Sequence, residues 1–91
     1  MKIKAIKIEP EAALKIFEKH SVKEEEIYDV LKNDSPIFRK VGGDQYLAVG
    51  FSKTRYITLF FTYEDKTKEV DITTAYPSDK KQIKSYNKVI K

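Results

Sequence analysis

The 91-residue sequence contains no cysteine, which excludes disulfide bonds and cysteine-based zinc sites. Its stability must therefore come from packing, and a reducing cytoplasm is the expected location. Long apolar runs are also missing, since none approaches the roughly 20 residues that a membrane-spanning helix needs. Lysines interrupt the apolar residues of the opening segment, so we expect no signal peptide and no contact with a membrane.

Side chains that commonly perform chemistry are scarce. The chain has a single histidine, His20, and its only arginines are Arg39 and Arg55, although Lys and Arg together number 18. One histidine and scattered carboxylates show no spacing typical of a metal site, so neither a metal nor another cofactor is predicted. The Gly42-Gly43 pair lacks the strand-to-helix context and the Lys of a phosphate-binding loop.

The composition is that of a small folded domain with a basic surface. The hydrophobic share of 41%, with 6 Tyr and 5 Phe, suffices for one core, and we expect residues 1–91 to form a single domain. The net charge of +4 is unevenly placed, because acidic residues outnumber lysines between residues 9 and 34, and lysines dominate after residue 78. A basic end of this kind favours an anionic partner such as RNA.

Apolar residues at helical spacing predict two helices in the first third of the chain. Pro10 suits the first turn of a helix, because its missing N–H has no partner there, and the periodic pattern continues to about His20. Ser21 and Glu24 then form the spacing of a capping box, in which a hydroxyl and a carboxylate satisfy amides at a helix start. This pattern predicts that Ser21 begins a second helix, which ends near Asn33.

Beyond residue 36 the apolar period changes from about 3.6 to 2, which predicts strands. They lie near residues 37–41, 45–51, 55–63 and 69–75. The third of them is apolar on both faces, as is typical of a central strand. Ser78 or Asp79 is placed to cap a last helix. The predicted fold class is α+β: two N-terminal helices, a four-stranded antiparallel β-meander and a C-terminal helix. We expect the helices to cover one face, after a short edge strand near residues 3–8.

The same periodicity selects the side chains of the core. Inward-facing positions of the predicted helices and strands should supply most of its volume. These positions are Phe17, Ile27, Leu31, Leu47, Val49, Ile57, Leu59, Phe61, Ile72 and Ile83.

Three features can carry chemistry, and each has a purely structural alternative. His20 belongs to the residue type whose ordinary pKa lies near neutrality, but it can equally be a packed residue at a helix end. Arg55 begins the central strand, where its planar fork can hold a phosphate or simply remain a surface charge. Tyr76 precedes a helix start with Lys80 and Lys81, which suits an RNA phosphate and base, or only an N-cap followed by a solvated lysine face.

Several short segments also occur in an order and spacing known from one family. They are Lys19-His20-Ser21-Val22, Glu24-Glu25-Glu26, Val30-Leu31, residues 44–50, Arg55-Tyr56 and residues 72–77. In this respect the chain resembles the BrnT-like toxins of type II toxin–antitoxin systems, which belong to the RelE/ParE-like group of small ribonuclease folds. Ser21 stands where the family pattern has a Gly. Tyr76 stands where many relatives have an Arg, and a phenol brings no permanent positive charge.

The resemblance implies a metal-independent endoribonuclease that cleaves RNA through attack by the ribose 2′-hydroxyl, and a cognate antitoxin that covers the basic groove. It implies catalytic roles for His20, Arg55 and Tyr76. Residues expected to bind RNA are Lys19, Lys80, Lys81 and Tyr86. If His20 and Arg55 converge on one groove, Arg55 would hold the phosphate while His20 exchanges a proton.

Two other interpretations remain open at this stage. The same fold can serve as a non-catalytic module that binds RNA or a protein through its basic helix. Alternatively, the charges only keep a small domain in solution. A neighbouring reading frame that encodes a DNA-binding antitoxin would favour the toxin.

Overall fold

The computed structural model describes residues 2–33, 36–53 and 55–90. The elements follow in the order β1 (Ala5–Lys7), α1 (Pro10–His20), α2 (Glu24–Tyr28), a π-helical segment (Asp29–Asn33), β2 (Ile37–Gly42), β3 (Gln45–Ser52), β4 (Arg55–Glu64), β5 (Glu69–Pro77) and α3 (Lys80–Ile90). In these described ranges no helix is both long enough and apolar enough to cross a membrane.

The sheet has five strands in the order β1-β5-β4-β3-β2, and it is mixed. The predicted antiparallel pairing of the four later strands is confirmed. The predicted count of four needs correction, because the short strand β1 joins the sheet and runs parallel to β5, with Ala5 opposite Glu69. A parallel neighbour requires a long crossover, and here α1, α2 and the meander lie between the two strands.

Strand β4 is covered on both faces, as its sequence indicates. Ile57 and Leu59 are fully buried in the cluster that α1 and α2 close from one side. Tyr56 and Thr58 point to the other side, where they form hydrogen bonds with α3. The prediction that all helices cover one face was therefore wrong. A central strand that is apolar on both faces needs a helix on each.

Six predicted core residues are buried, namely Ile27, Val49, Ile57, Leu59, Phe61 and Ile72. Leu31, Leu47 and Ile83 are half-buried. Phe17 was wrongly placed in the core, since 49% of its surface is exposed. Its neighbour Ile16 faces the sheet instead, and successive residues of a helix point about 100° apart.

The junction of α1 and α2 differs from the predicted capping box. Ser21 adopts a left-handed conformation, with φ 56° and ψ 31°, and its N–H donates to the Phe17 carbonyl at 2.8 Å. It therefore ends α1 and does not begin α2. Helix α2 starts at Glu24, where the Lys23 N–H donates to the Glu26 carboxylate at 3.1 Å. The left-handed position is one where glycine fits without strain.

Replacing Ser21 with Gly should therefore stabilise the protein. A left-handed residue with a Cβ costs roughly 1–2 kcal/mol, and the greater freedom of Gly in the unfolded chain offsets part of the gain, so we expect a net increase of about 0.5–1 kcal/mol. Urea unfolding measures it. Ser21→Ala is the control, because it removes the hydroxyl and retains the Cβ. An equal gain in both variants would contradict this explanation.

Candidate functional site

The end of α1 lies beside the end of β5, and this brings His20 next to Tyr76. The centroids of the two rings are 5.8 Å apart, with an angle of 51° between the ring planes. Strand β1 pairs with β5 only as far as Asp71, so the later half of β5 is left for α1 to pack along. Two of the three predicted catalytic residues, far apart in sequence, are therefore neighbours in the fold.

A cleft of about 380 Å³ opens between α1 and β5, with His20 in its wall. The residues that line it are Glu9, Glu11, Ala12, Lys15, Ile16, Lys19, His20, Thr73 and Thr74. Lys19 was predicted to bind RNA, whereas Lys15 was missed. The four-residue spacing of the two lysines places them on the same side of the helix, and this signal was available in the sequence. The two ammonium groups and two hydroxyls can contact a phosphodiester, whereas the carboxylates of Glu9 and Glu11 would repel it.

Tyr76 is held by a hydrogen-bond network at the start of α3. The side-chain amide of Gln82 donates from Nε2 to the Tyr76 hydroxyl at 3.0 Å. Its Oε1 accepts from the Thr58 hydroxyl at 2.9 Å and from the Asp79 N–H at 2.9 Å. Asp79 in turn accepts from the Gln82 N–H at 2.8 Å, so the two residues form a reciprocal cap. Of the two predicted capping residues, Ser78 and Asp79, it is Asp79 that accepts the hydrogen bond from the Gln82 N–H.

The remaining predicted RNA contacts lie on α3 and separate into two kinds. Lys80 and Lys81 are exposed in the first turn, next to the cap that holds Tyr76. Tyr86 is only 8% exposed, and its ring packs edge to face against Tyr56, with 5.3 Å between centroids. Tyr86 is thus largely covered by its own fold, and its predicted contact with RNA stays a prediction.

Arg55 forms a bidentate ion pair. Its Nε donates to one carboxylate oxygen of Glu26 and its Nη2 to the other, both at 2.8 Å, and Nη2 also donates to the Ser21 carbonyl at 2.7 Å. The hydrogen bonds from Arg55 lower the pKa of Glu26, although the partial burial of the carboxyl acts in the opposite direction. The same pair raises the pKa of Arg55. Arg55 thus fastens α2 and the end of α1 to the start of β4.

His20 and Arg55 line two different clefts. Arg55 belongs to a cleft of about 430 Å³ that Asp29 and Ser52 also line, whereas His20 belongs to the cleft between α1 and β5. Arg55 reaches the backbone of Ser21, the residue after His20. His20 contacts Tyr76, and the expected convergence of His20 and Arg55 on one groove stays a prediction that their positions in two separate clefts do not support. The pairing of Arg55 with Glu26 has no local signal in the sequence.

Comparison with known proteins identifies the fold. No protein-family model matches the chain, and no curated protein matches it. Among solved structures, the crystal structure of the Brucella abortus ribonuclease toxin BrnT is similar, with a TM-score of 0.69. The similarity covers 87% of this chain and 100% of that chain, at 12% sequence identity. The resemblance to BrnT-like toxins that the sequence suggested is therefore confirmed in the structure, at the level of the fold.

The ion pair between Glu26 and Arg55 should make stability depend on pH. Because folding lowers the pKa of Glu26, its contribution is complete above the ordinary value of 4.5 and is lost as the pH falls through the lower folded-state value. At pH 7, Glu26→Gln should cost about 1–2 kcal/mol, since Arg55 is partly exposed and solvent screens the pair.

Urea unfolding of both proteins at pH 7 and near pH 3 measures this dependence, and the two stabilities should converge at the lower pH. Glu25→Gln is the control, because it removes a neighbouring exposed carboxylate outside the ion pair. A stability difference that does not shrink on acidification would contradict the pairing.

Proposed function

We propose that this protein is a metal-independent endoribonuclease of a toxin–antitoxin pair. The observation that carries the proposal is the contact of Tyr76 with His20, which lines a cleft together with Lys15 and Lys19 and with Glu9 and Glu11. The fold shared with a ribonuclease toxin supports it. Fold alone does not specify function, so the proposal depends on what these side chains can do.

In the proposed reaction the ribose 2′-hydroxyl attacks the adjacent phosphorus. His20 accepts the 2′-proton as the O2′–P bond forms, and the P–O5′ bond breaks as the departing oxygen receives a proton from Tyr76. The products are a 2′,3′-cyclic phosphate and a 5′-hydroxyl end. Water restores the proton on Tyr76, and His20 releases the one that it took. Lys15 and Lys19 reduce the negative charge that develops on the phosphate.

The charge distribution indicates the side from which RNA approaches. Glu24, Glu25 and Glu26 form the first turn of α2 and would repel a phosphate backbone. Lys80 and Lys81 are exposed where α3 begins, close in the chain to Tyr76. RNA would therefore follow a path from the His20 end of the α1–β5 cleft, away from Glu9 and Glu11 at the start of α1, toward the first turn of α3.

Arg55 has a positioning role in this proposal. Its Nε and Nη2 donate to the Glu26 carboxylate, so its charge is already paired with an anion. Through its hydrogen bond to the Ser21 carbonyl it fixes the backbone next to His20. The cognate antitoxin would cover the α1–β5 cleft, and the enzyme would act on RNA in the cytoplasm.

A second candidate function is a non-catalytic RNA-binding module of the same fold. The observation in its favour is Tyr76, which stands where many relatives have an Arg. A phenol cannot stabilise the charged transition state as a permanent cation does. Such a module would bind RNA through the same lysines and leave it intact.

Cleavage assays with single substitutions distinguish the two functions. The wild type should cleave RNA to 2′,3′-cyclic phosphate ends, and His20→Ala and Tyr76→Phe should each lower the rate by about 10²-fold or more, as expected for loss of an acid or base. Tyr28→Phe, which removes a phenol on α2, is the control and should retain the wild-type rate. RNA that is bound and never cleaved by the wild type would establish the binding module instead.

Reversing the charges of Lys80 and Lys81 should weaken RNA binding and flatten its dependence on salt. Each phosphate contact on a single strand contributes a slope of roughly 0.7 in log K against log salt, so the double variant to Glu should lose about one unit or more. Binding is measured with 2′-O-methyl RNA, which lacks the nucleophile. Lys66→Glu, in the turn between β4 and β5, is the control. An unchanged slope would remove both lysines from the RNA path.

A further inference from the structure

The direction of the hydrogen bonds around Gln82 is fixed by a backbone group. The Asp79 N–H can only donate, so the Gln82 side-chain atom 2.9 Å from it must be the carbonyl oxygen. The Thr58 hydroxyl donates to the same oxygen at 2.9 Å, and the Ser78 hydroxyl, 2.7 Å away, then donates to Thr58. The amide nitrogen of Gln82 is left to face Tyr76.

This orientation determines what the Tyr76 hydroxyl can do. An amide nitrogen has no lone pair to accept with, so at 3.0 Å the phenolic oxygen accepts from Gln82 and its own hydrogen must be donated elsewhere. Tyr76 is half-buried between Phe60, with 6.1 Å between ring centroids, and His20, at 5.8 Å. Its ring position is thus fixed beside the proposed base, and its proton stays free of the α3 cap.

We propose that Gln82 is a positioning residue that keeps the Tyr76 hydroxyl as a proton donor toward the leaving 5′-oxygen. This inference rests on the proposed ribonuclease function and assigns one step of it. Because a phenol is neutral, its contribution to the cleavage comes from its proton. When that proton passes to the 5′-oxygen, the Gln82 amide continues to donate to the phenolate oxygen until water reprotonates it.

Gln82 also caps α3, so the test must separate the two roles. Gln82→Glu retains the cap, since one carboxylate oxygen still accepts from the Asp79 N–H and from Thr58. The other carboxylate oxygen takes the place of the amide nitrogen and can only accept, so the Tyr76 hydroxyl must donate its proton to this oxygen. Gln82→Ala removes both the cap and the partner of Tyr76 and leaves the phenol proton free.

A purely structural role and a positioning role of Gln82 predict opposite orders for the cleavage rates of Gln82→Ala and Gln82→Glu. If Gln82 only caps the helix, Gln82→Ala should be the more damaging substitution and Gln82→Glu should be nearly neutral. If Gln82 positions the donor, Gln82→Glu should cleave RNA about 10²-fold more slowly than the wild type, at an unchanged urea midpoint, and Gln82→Ala should lose less activity. Gln45→Glu, the same change at the exposed start of β3, should cleave at the wild-type rate.

A substrate with sulfur in place of the bridging 5′-oxygen tests the proton transfer from Tyr76 directly, because a thiolate departs without a proton. On this substrate Gln82→Glu and Tyr76→Phe should recover to within a few-fold of the wild-type rate, and His20→Ala should remain slow. Single-turnover rates and affinities for 2′-O-methyl RNA should show that only the rate of the chemical step changes.

Two results would overturn the role of Gln82. They are a wild-type rate in Gln82→Glu, or an equal loss on the oxygen and sulfur substrates. A wild type that cleaves neither substrate would overturn the ribonuclease function itself, and the role of Gln82 with it. The side-chain amide signal of Gln82 in an NMR spectrum, compared between wild type and Tyr76→Phe, then reports separately whether the hydrogen bond to the phenol forms.

Discussion

Strand β4 imposes the constraint on which the arrangement of the site depends. Ile57 and Leu59 on one face and Thr58 on the other are all fully buried, so the strand needs cover from both sides. The N-terminal helices supply one cover and α3 supplies the other. Helix α1 reaches the end of β5 because it runs along the part of that strand that β1 leaves free. Helix α3 reaches the same end through the hydrogen bond between Gln82 and Tyr76. His20 and Tyr76 meet there as a consequence of packing.

The ion pair of Arg55 changes which residues can supply charge to a phosphate. A guanidinium whose Nε and Nη2 donate to both oxygens of Glu26 and to the Ser21 carbonyl is a structural clamp, and its charge is paired before any phosphate arrives. The cations that remain at the proposed site are lysines. They act as mobile point charges and do not impose the planar geometry of an arginine fork, so geometric precision at this site has to come from His20 and Tyr76.

Features set by local sequence could be predicted, and features set by distant partners could not. Alternation of apolar residues identified the four strands of the meander, and the Asp79 position was recognised as a possible cap, because both signals lie within a few residues. The parallel pairing of β1, the exposure of Phe17 and the partner of Arg55 depend on contacts across the fold. Ser21 was misassigned because a serine suits a helix start by chemistry, whereas its backbone here is left-handed.

A phenol gives a site a different kind of help from an arginine. An arginine contributes its charge in any orientation that brings it close, whereas a phenol contributes only if its single proton faces the acceptor. A neighbour with a fixed donor is therefore needed, and the cap of α3 provides one. The carbonyl oxygen of Gln82 completes the cap, and the nitrogen of the same amide remains for Tyr76. Gln82 therefore both caps the start of α3 and orients the Tyr76 hydroxyl. The stability of this helix start and the direction of the Tyr76 proton are coupled through that one side chain.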